Sequence, residues 1–129
     1  MTSVARFAIV SGAILGGLSV AGGAFGAHGL KAALDASGQV GNWETAARYA
    51  MVHALALVAV GLLAATRPQT PGLTIAAWCF LIGSLIFSGC LAVLALTGIK
   101  VLGAVVPIGG VLLIAGWLAL AVAASRIRD

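Results

Sequence analysis

Long apolar runs, each closed off by charged or turn-forming residues, organise the 129-residue chain. A bilayer's hydrocarbon core, about 30 Å thick, is crossed by roughly 20 apolar residues in a helix. Stretches of that kind fall at 7–27, 46–66, 73–97 and 101–124. Nothing in them alternates with a period of two, and backbone amides in lipid must be paired within a helix or a closed barrel. The pattern therefore predicts an all-α fold, an integral membrane bundle of four transmembrane helices forming one domain over 1–129. Between the first two spans the chain reads LKAALDAS and then GQVG. That pattern predicts a short interfacial helix within 29–38 that stops at Gly38, with Leu30 and Leu34 on one face and Lys31 and Asp35 on another.

Turn chemistry refines the boundaries. After the Arg67-Pro68 break, Thr70 reads as an N-cap with Pro71 at the first helical position of span three. Asn42, followed by Glu44 and Thr45, reads as the start of span two. The first span follows Arg6 as a signal peptide would, but its apolar run exceeds the 7 to 15 residues, or thereabouts, of a signal core, so we expect it to be retained.

Composition fixes the solvent. Hydrophobic residues make up 62% of the chain, charged residues 8%, and the mean hydropathy is +1.18, which excludes a soluble domain. The formal net charge of +4 needs no nucleic acid to explain it, because basic residues flanking spans attract anionic headgroups of the lipid bilayer. Arg6, Arg67, Arg126 and Arg128 fall on the side of both termini, and Lys31, Arg48 and Lys100 on the other. This excess predicts cytoplasmic termini.

Small residues predict how the helices associate, since lipid gives them no hydrophobic reason to do so. Ala5, Ala8, Gly12, Gly16, Ser19, Gly23 and Gly26 follow one line along span one, with Gly22 and Gly26 forming a second GxxxG pair to one side. In span three, Cys79, Gly83, Cys90 and Thr97 share a face opposite Ala77, Ser84, Ser88 and Ala95, which implies two neighbours. The two cysteines lie about 16 Å apart along one helix, too far for a disulfide with each other, and read as packing residues. In span four Pro107 removes an amide, and Gly109 and Gly110 loosen the same turn, predicting a kink. GLK at 29–31 and GIK at 98–100 end spans one and three alike, a hint of two parallel two-helix halves.

The candidate chemistry is sparse. His28 closes span one between Gly26 and Gly29, where the helix can unwind, and His53 lies two turns into span two from the same side, four residues after Tyr49. A neutral imidazole in a membrane must satisfy a donor and an acceptor. We expect His28, Tyr49, His53, Ser84 and Ser88 to form one polar cluster facing the bundle. A satisfied hydrogen bond from His53 to Ser84, Ser88 or a freed carbonyl is the favoured reading, ahead of metal, haem, quinone or proton binding. No HExxH or paired CxxC spacing is present, so neither a metal site nor catalytic residues are expected.

GAFGAHGLK (23–31), WETAARYAMVHALAL (43–57), FSGCLAVLALTG (87–98) and PIGGVLLIAGW (107–117) together resemble the bacterial inner-membrane family catalogued as domain of unknown function 423, to which transmembrane protein 256 of animals is similar. The resemblance spans nearly the whole chain and implies a small four-span membrane protein without an established biochemical role. It draws attention to Gly23, Phe25, Gly26, His28, Trp43, Tyr49, His53, Ser88, Gly89, Pro107, Gly109, Gly110 and Trp117. Cys90 and Ala92 depart from the family pattern, which puts a hydroxyl or aromatic role there in doubt.

Two functions fit these observations, neither an enzyme and neither requiring a cofactor outright. One is a non-catalytic helix-packing or assembly module, joining copies of itself or another membrane protein through its small faces. The other is binding or transport of a small ligand (lipid, quinone, haem or metal) at the His/Tyr cluster. The spans contain no Asp or Glu at membrane depth, which disfavours a cation-coupled transporter.

Overall fold

A computed structural model describes residues 1–127; Arg128, counted above in the charge bias, lies outside the described residues. The described residues form α1 (Ser3–Ala27), α2 (Lys31–Ser37), α3 (Val40–Thr66), α4 (Leu73–Thr97) and α5 (Leu102–Ser125), with no strand among them. The four long helices are each apolar and long enough to cross a membrane. The protein is an all-α bundle of four candidate spans with one short helix between the first two.

Helix starts follow hydrogen bonding more closely than hydropathy. Thr2 caps α1 by accepting from the Ala5 amide at 3.1 Å, so the helix begins upstream of its apolar run. Helix α3 begins at Val40, not Asn42. Gln39 holds the cap position, and Asn42 lies inside the first turn, donating to the Gln39 side chain at 2.8 Å. Residues 42–45 are helical, and Trp43 among them packs against α1. The expected Thr70-Pro71 cap is also displaced, because Gly72 takes the cap position of α4 with φ 95°, a left-handed conformation open to glycine. Thr70 instead closes the preceding turn by donating its amide to Arg67 O. Gly38 ends α2 as expected, with φ 69° and its amide on Leu34 O and Asp35 O. Leu34 is buried beneath α2, while Lys31 and Asp35 pair at 3.1 Å on its exposed face.

The bundle is serial. Helix α1 packs on α3, α3 on α4, and α4 on α5, while α1 meets α4 only lightly. Helix α2 lies against the C-terminal end of α4, so α2 and the Gly98 turn share one face of the bundle; the Arg67 turn and Arg126 meet on the other. Phe80, Leu57 and Val60 are fully buried in a core to which all four long helices contribute.

Glycines set the distances between neighbours. A Cβ on Gly12 would stand 2.8 Å from Ala54 O, and one on Gly61 3.0 Å from Ala5 O, so α1 and α3 touch backbone to backbone at two levels. Ser19 adds a hydrogen bond from its hydroxyl to Ala47 O at 2.5 Å. The predicted seam then drifts off. Gly16 has only an ordinary contact at 3.6 Å, Gly23 has nothing within 4 Å, and Gly26 faces the Trp43 indole, whose N–H donates to Gly22 O at 2.8 Å. The Gly22/Gly26 pair thus receives an aromatic ring, not a helix backbone.

Between α4 and α5, a Cβ on Gly83 would lie 3.0 Å from Leu113 N, and one on Gly109 2.8 Å from Gly83 O. Helix α5 runs unbroken through Pro107. Gly109 serves close approach to α4, and a Cβ on Gly110 would meet the Phe87 ring at an ordinary 3.7 Å. Cys79 and Cys90 are free thiols; Cys79 packs against Gly116, and Cys90 against the small core around Leu91 and Val106.

Candidate functional site

The two histidines stand in different surroundings. His53, on the face of α3 turned toward α4 and α5, is 4% exposed, and both ring nitrogens are engaged. Nδ1 lies 2.7 Å from Tyr49 O, one helical turn back, and Nε2 lies 3.1 Å from the indole Nε1 of Trp117 on α5. An indole nitrogen only donates, so Nε2 must accept, and the imidazole proton belongs on Nδ1, donating to the carbonyl. The neutral ring is satisfied on both sides. A metal or haem iron at Nε2 would first have to displace Trp117.

Rings surround this pair. His53 packs against Phe80 at 5.7 Å and Trp117 at 6.0 Å between centroids, Phe80 meets Trp117 edge-on at 5.0 Å, and Tyr49 stacks on Phe87 at 4.6 Å. Gly116 makes this possible, because a Cβ there would lie 2.8 Å from the Phe80 ring. The rings wall a groove of about 600 Å³ between α3, α4 and α5, lined by Tyr49, Val52, His53, Phe87, Leu113 and Trp117, with Arg48 at its edge. Arg48 is the only charged group lining it among the described residues.

The predicted cluster divides into three places. Tyr49 and His53 come together in the groove. His28 is exposed at the end of α1 and takes no part in it: its amide bonds Ala24 O and Phe25 O, which closes the helix. The cause lies in the packing order, since α1 covers the face of α3 that carries Ala47 and Ala54, while His53 faces α4 and α5. Ser84 and Ser88 are buried, but they line a separate cavity of about 290 Å³ between α1, α3 and α4. Neither bonds His53. The acceptor-donor partner that the sequence pattern left unnamed is Trp117. An indole N–H inside an apolar span needs an acceptor, and that was the available signal, along with Phe87 one turn from Gly83 on α4.

No group of three or more His, Cys, Asp or Glu is positioned to hold a metal ion among the described residues. The arrangement describes a small helical membrane protein with an aromatic groove open at one side, in which a neutral histidine is held rigid by a tryptophan from another helix.

The family described as Protein of unknown function (DUF423) matches residues 22–110, and the chain belongs to it. A UPF0382 membrane protein of Staphylococcus haemolyticus is 44% identical over 118 residues, covering 92% of this chain and 94% of the relative. A UPF0382 membrane protein of Staphylococcus saprophyticus is 42% identical over 119 residues, covering 92% and 97%. The UPF0382 membrane protein YwdK of Bacillus subtilis is 44% identical over 119 residues, covering 92% and 95%. No solved structure matches the chain.

Proposed function

We propose that this protein is a non-catalytic binding module of the bacterial inner membrane, with both termini cytoplasmic, that holds an anionic amphiphile in the groove between α3, α4 and α5. The observation that carries this reading is the alignment of chemistry with depth along the groove. Helix α3 has 27 residues, about 40 Å at 1.5 Å each, so its first turns extend beyond a core of about 30 Å. Arg48, eight residues from the start of α3, lies in the outer part of that core, from which its long side chain reaches the headgroups. Tyr49 follows directly, Val52 lies one turn deeper, and the aromatic wall lies beyond it. An amphiphile with its anionic head on Arg48 can lay its chain along Phe87, Leu113 and Trp117, where only apolar surface and the closed His53–Trp117 pair meet it.

The assembly reading draws less support. Gly12, Gly61, Gly83, Gly109 and Gly116 are occupied by contacts inside the chain, so the strongest small-residue surfaces are not left for a partner.

The test is the lipid that co-purifies. Protein extracted in a neutral detergent should retain phosphatidylglycerol or fatty acid in near-stoichiometric amount, measured by native mass spectrometry. Arg48→Gln should lower that retention at least about tenfold, as expected for one charge-assisted contact of about 1.5 to 3 kcal/mol. Equal retention in wild type and variant would remove the groove reading.

A further inference from the structure

The second cavity carries chemistry of another kind. Hydroxyls on membrane helices ordinarily return their proton to a carbonyl one turn back, and several here do so: Ser11 to Phe7 O at 2.7 Å, Ser37 to Ala33 O at 3.0 Å, Thr66 to Leu62 O at 3.1 Å and Thr97 to Val93 O at 2.7 Å. Ser84 and Ser88 do not. They are 1% and 8% exposed, and their hydroxyl oxygens have no hydrogen-bond partner among the described residues. Both line the cavity of about 290 Å³ between α1, α3 and α4. A buried hydroxyl left unpaired is destabilising, so the pair is a standing demand for a ligand that accepts two hydrogen bonds.

The rest of the lining narrows that ligand. Facing the hydroxyls are Ala46, Ala47, Ala50 and Gly22, and no charged side chain lines the cavity among the described residues. Ser88 lies nine residues from the end of α4 at Thr97, about 14 Å below that face at 1.5 Å per residue. A phosphate or ammonium head at that depth would be uncompensated. A neutral head is not penalised in this way. An apolar cavity of about 150 Å³ already admits a benzene ring, so this one has room for a ring-sized head. Its side is flanked by Leu18 and Leu85, both lipid-facing at 64% and 54% exposure, so a tail can leave between α1 and α4 into the bilayer.

We propose that the cavity between α1, α3 and α4 binds a neutral lipid-soluble molecule presenting two carbonyl acceptors, to which the Ser84 and Ser88 hydroxyls donate. The hydroxyl-bearing positions are four residues apart, about 6 Å along the helix, and so are suited to the opposed carbonyls of a 1,4-quinone or the paired esters of a diacylglycerol. This site is separate from the Arg48 groove and does not depend on that reading.

The full chain in a maltoside micelle would be titrated with a decyl-tailed 1,4-benzoquinone in one arm and dioctanoylglycerol in the other, following melting temperature. One arm should give a saturable rise, and the responding arm identifies the source of the carbonyls. The double variant S84A/S88A should bind that probe at least about tenfold more weakly, since two neutral hydrogen bonds are lost, while melting at the same or a higher temperature without probe. A second variant, Gly89→Leu, should block binding with both hydroxyls in place, because Gly89 lines the cavity with open space around it. Lack of saturable binding in both arms, or equal affinity in S84A/S88A, would overturn the proposal. A lower probe-free melting temperature for S84A/S88A would also overturn it, by showing that the hydroxyls already have partners within the protein.

Discussion

The α1/α3 and α4/α5 pairs approach equally closely but are held differently. The first is a seam of alanines and glycines in which backbones touch at Gly12 and Gly61, and two hydrogen bonds cross it, from Ser19 to Ala47 O and from Trp43 to Gly22 O. The second has no crossing hydrogen bond among the described residues. Gly109 instead meets the backbone of Phe87 and Gly83, Gly83 and Gly116 receive the Leu113 and Phe80 side chains, and the polar tie of α5 runs past α4 to His53 on α3. Lipid supplies no hydrophobic drive for either pair. One pair replaces it with backbone approach and crossing hydrogen bonds, the other with backbone approach at Gly109 and large side chains seated against Gly83 and Gly116. On the second side the rings of Tyr49, Phe87 and Trp117 wall the larger groove, whereas the cavity beside the first pair is lined mainly by small residues.

Substitutions that fill a recess should separate the two designs most sharply. Gly109→Leu is expected to be the most damaging, because even a Cβ at Gly109 would lie 2.5 Å from Phe87 N, a backbone atom that cannot swing aside. The loss should reach or exceed about 3 kcal/mol, the upper range for overpacking, and should appear as failure to give a monodisperse peak in detergent. Normal elution and melting would mean that α4 and α5 are not in backbone contact. Gly12→Leu should follow at about 2 to 3 kcal/mol, with a lowered melting temperature, because Ala54 O is the nearest obstacle and crossing hydrogen bonds remain to hold the pair.

The polar tie should come next. His53→Ala removes a buried ring and strands the Trp117 N–H, whereas Trp117→Phe strands only the Nε2 lone pair while keeping much of the ring surface. We expect about 2 to 4 kcal/mol for the first and about 1 to 2 for the second. The double variant should cost less than the sum of the two, and strict additivity in a thermal-melt cycle would show that the hydrogen bond does not form. Gly16→Leu should be the mildest, within about 1 kcal/mol, since the added Cβ meets only Ala54 Cβ at 3.6 Å. A large loss there would restore the longer seam that the sequence pattern predicts and place α1 closer to α3 than it stands.

What the sequence determined by itself was the number of candidate spans, their approximate extent, the short helix between the first two with its stop at Gly38, and the membrane as solvent. Each follows from local terms: runs of apolar residues, the need to pair every amide in lipid, and a glycine at a helix end. The helix starts were less legible, because Asn42 and Thr70 have capping side chains, yet the cap positions went to Gln39 and Gly72, where turn geometry with neighbouring segments decided. The site was legible only in part. Tyr49 and His53 meet through helical spacing alone, but which residue satisfies His53, whether His28 joins it, and which cavity Ser84 and Ser88 line all depend on the order in which helices pack. That order placed α1 on one face of α3 and α4 and α5 on the other, and it was decided by where glycines let backbones come together, a matching of surfaces between helices that a single helix's periodicity does not contain.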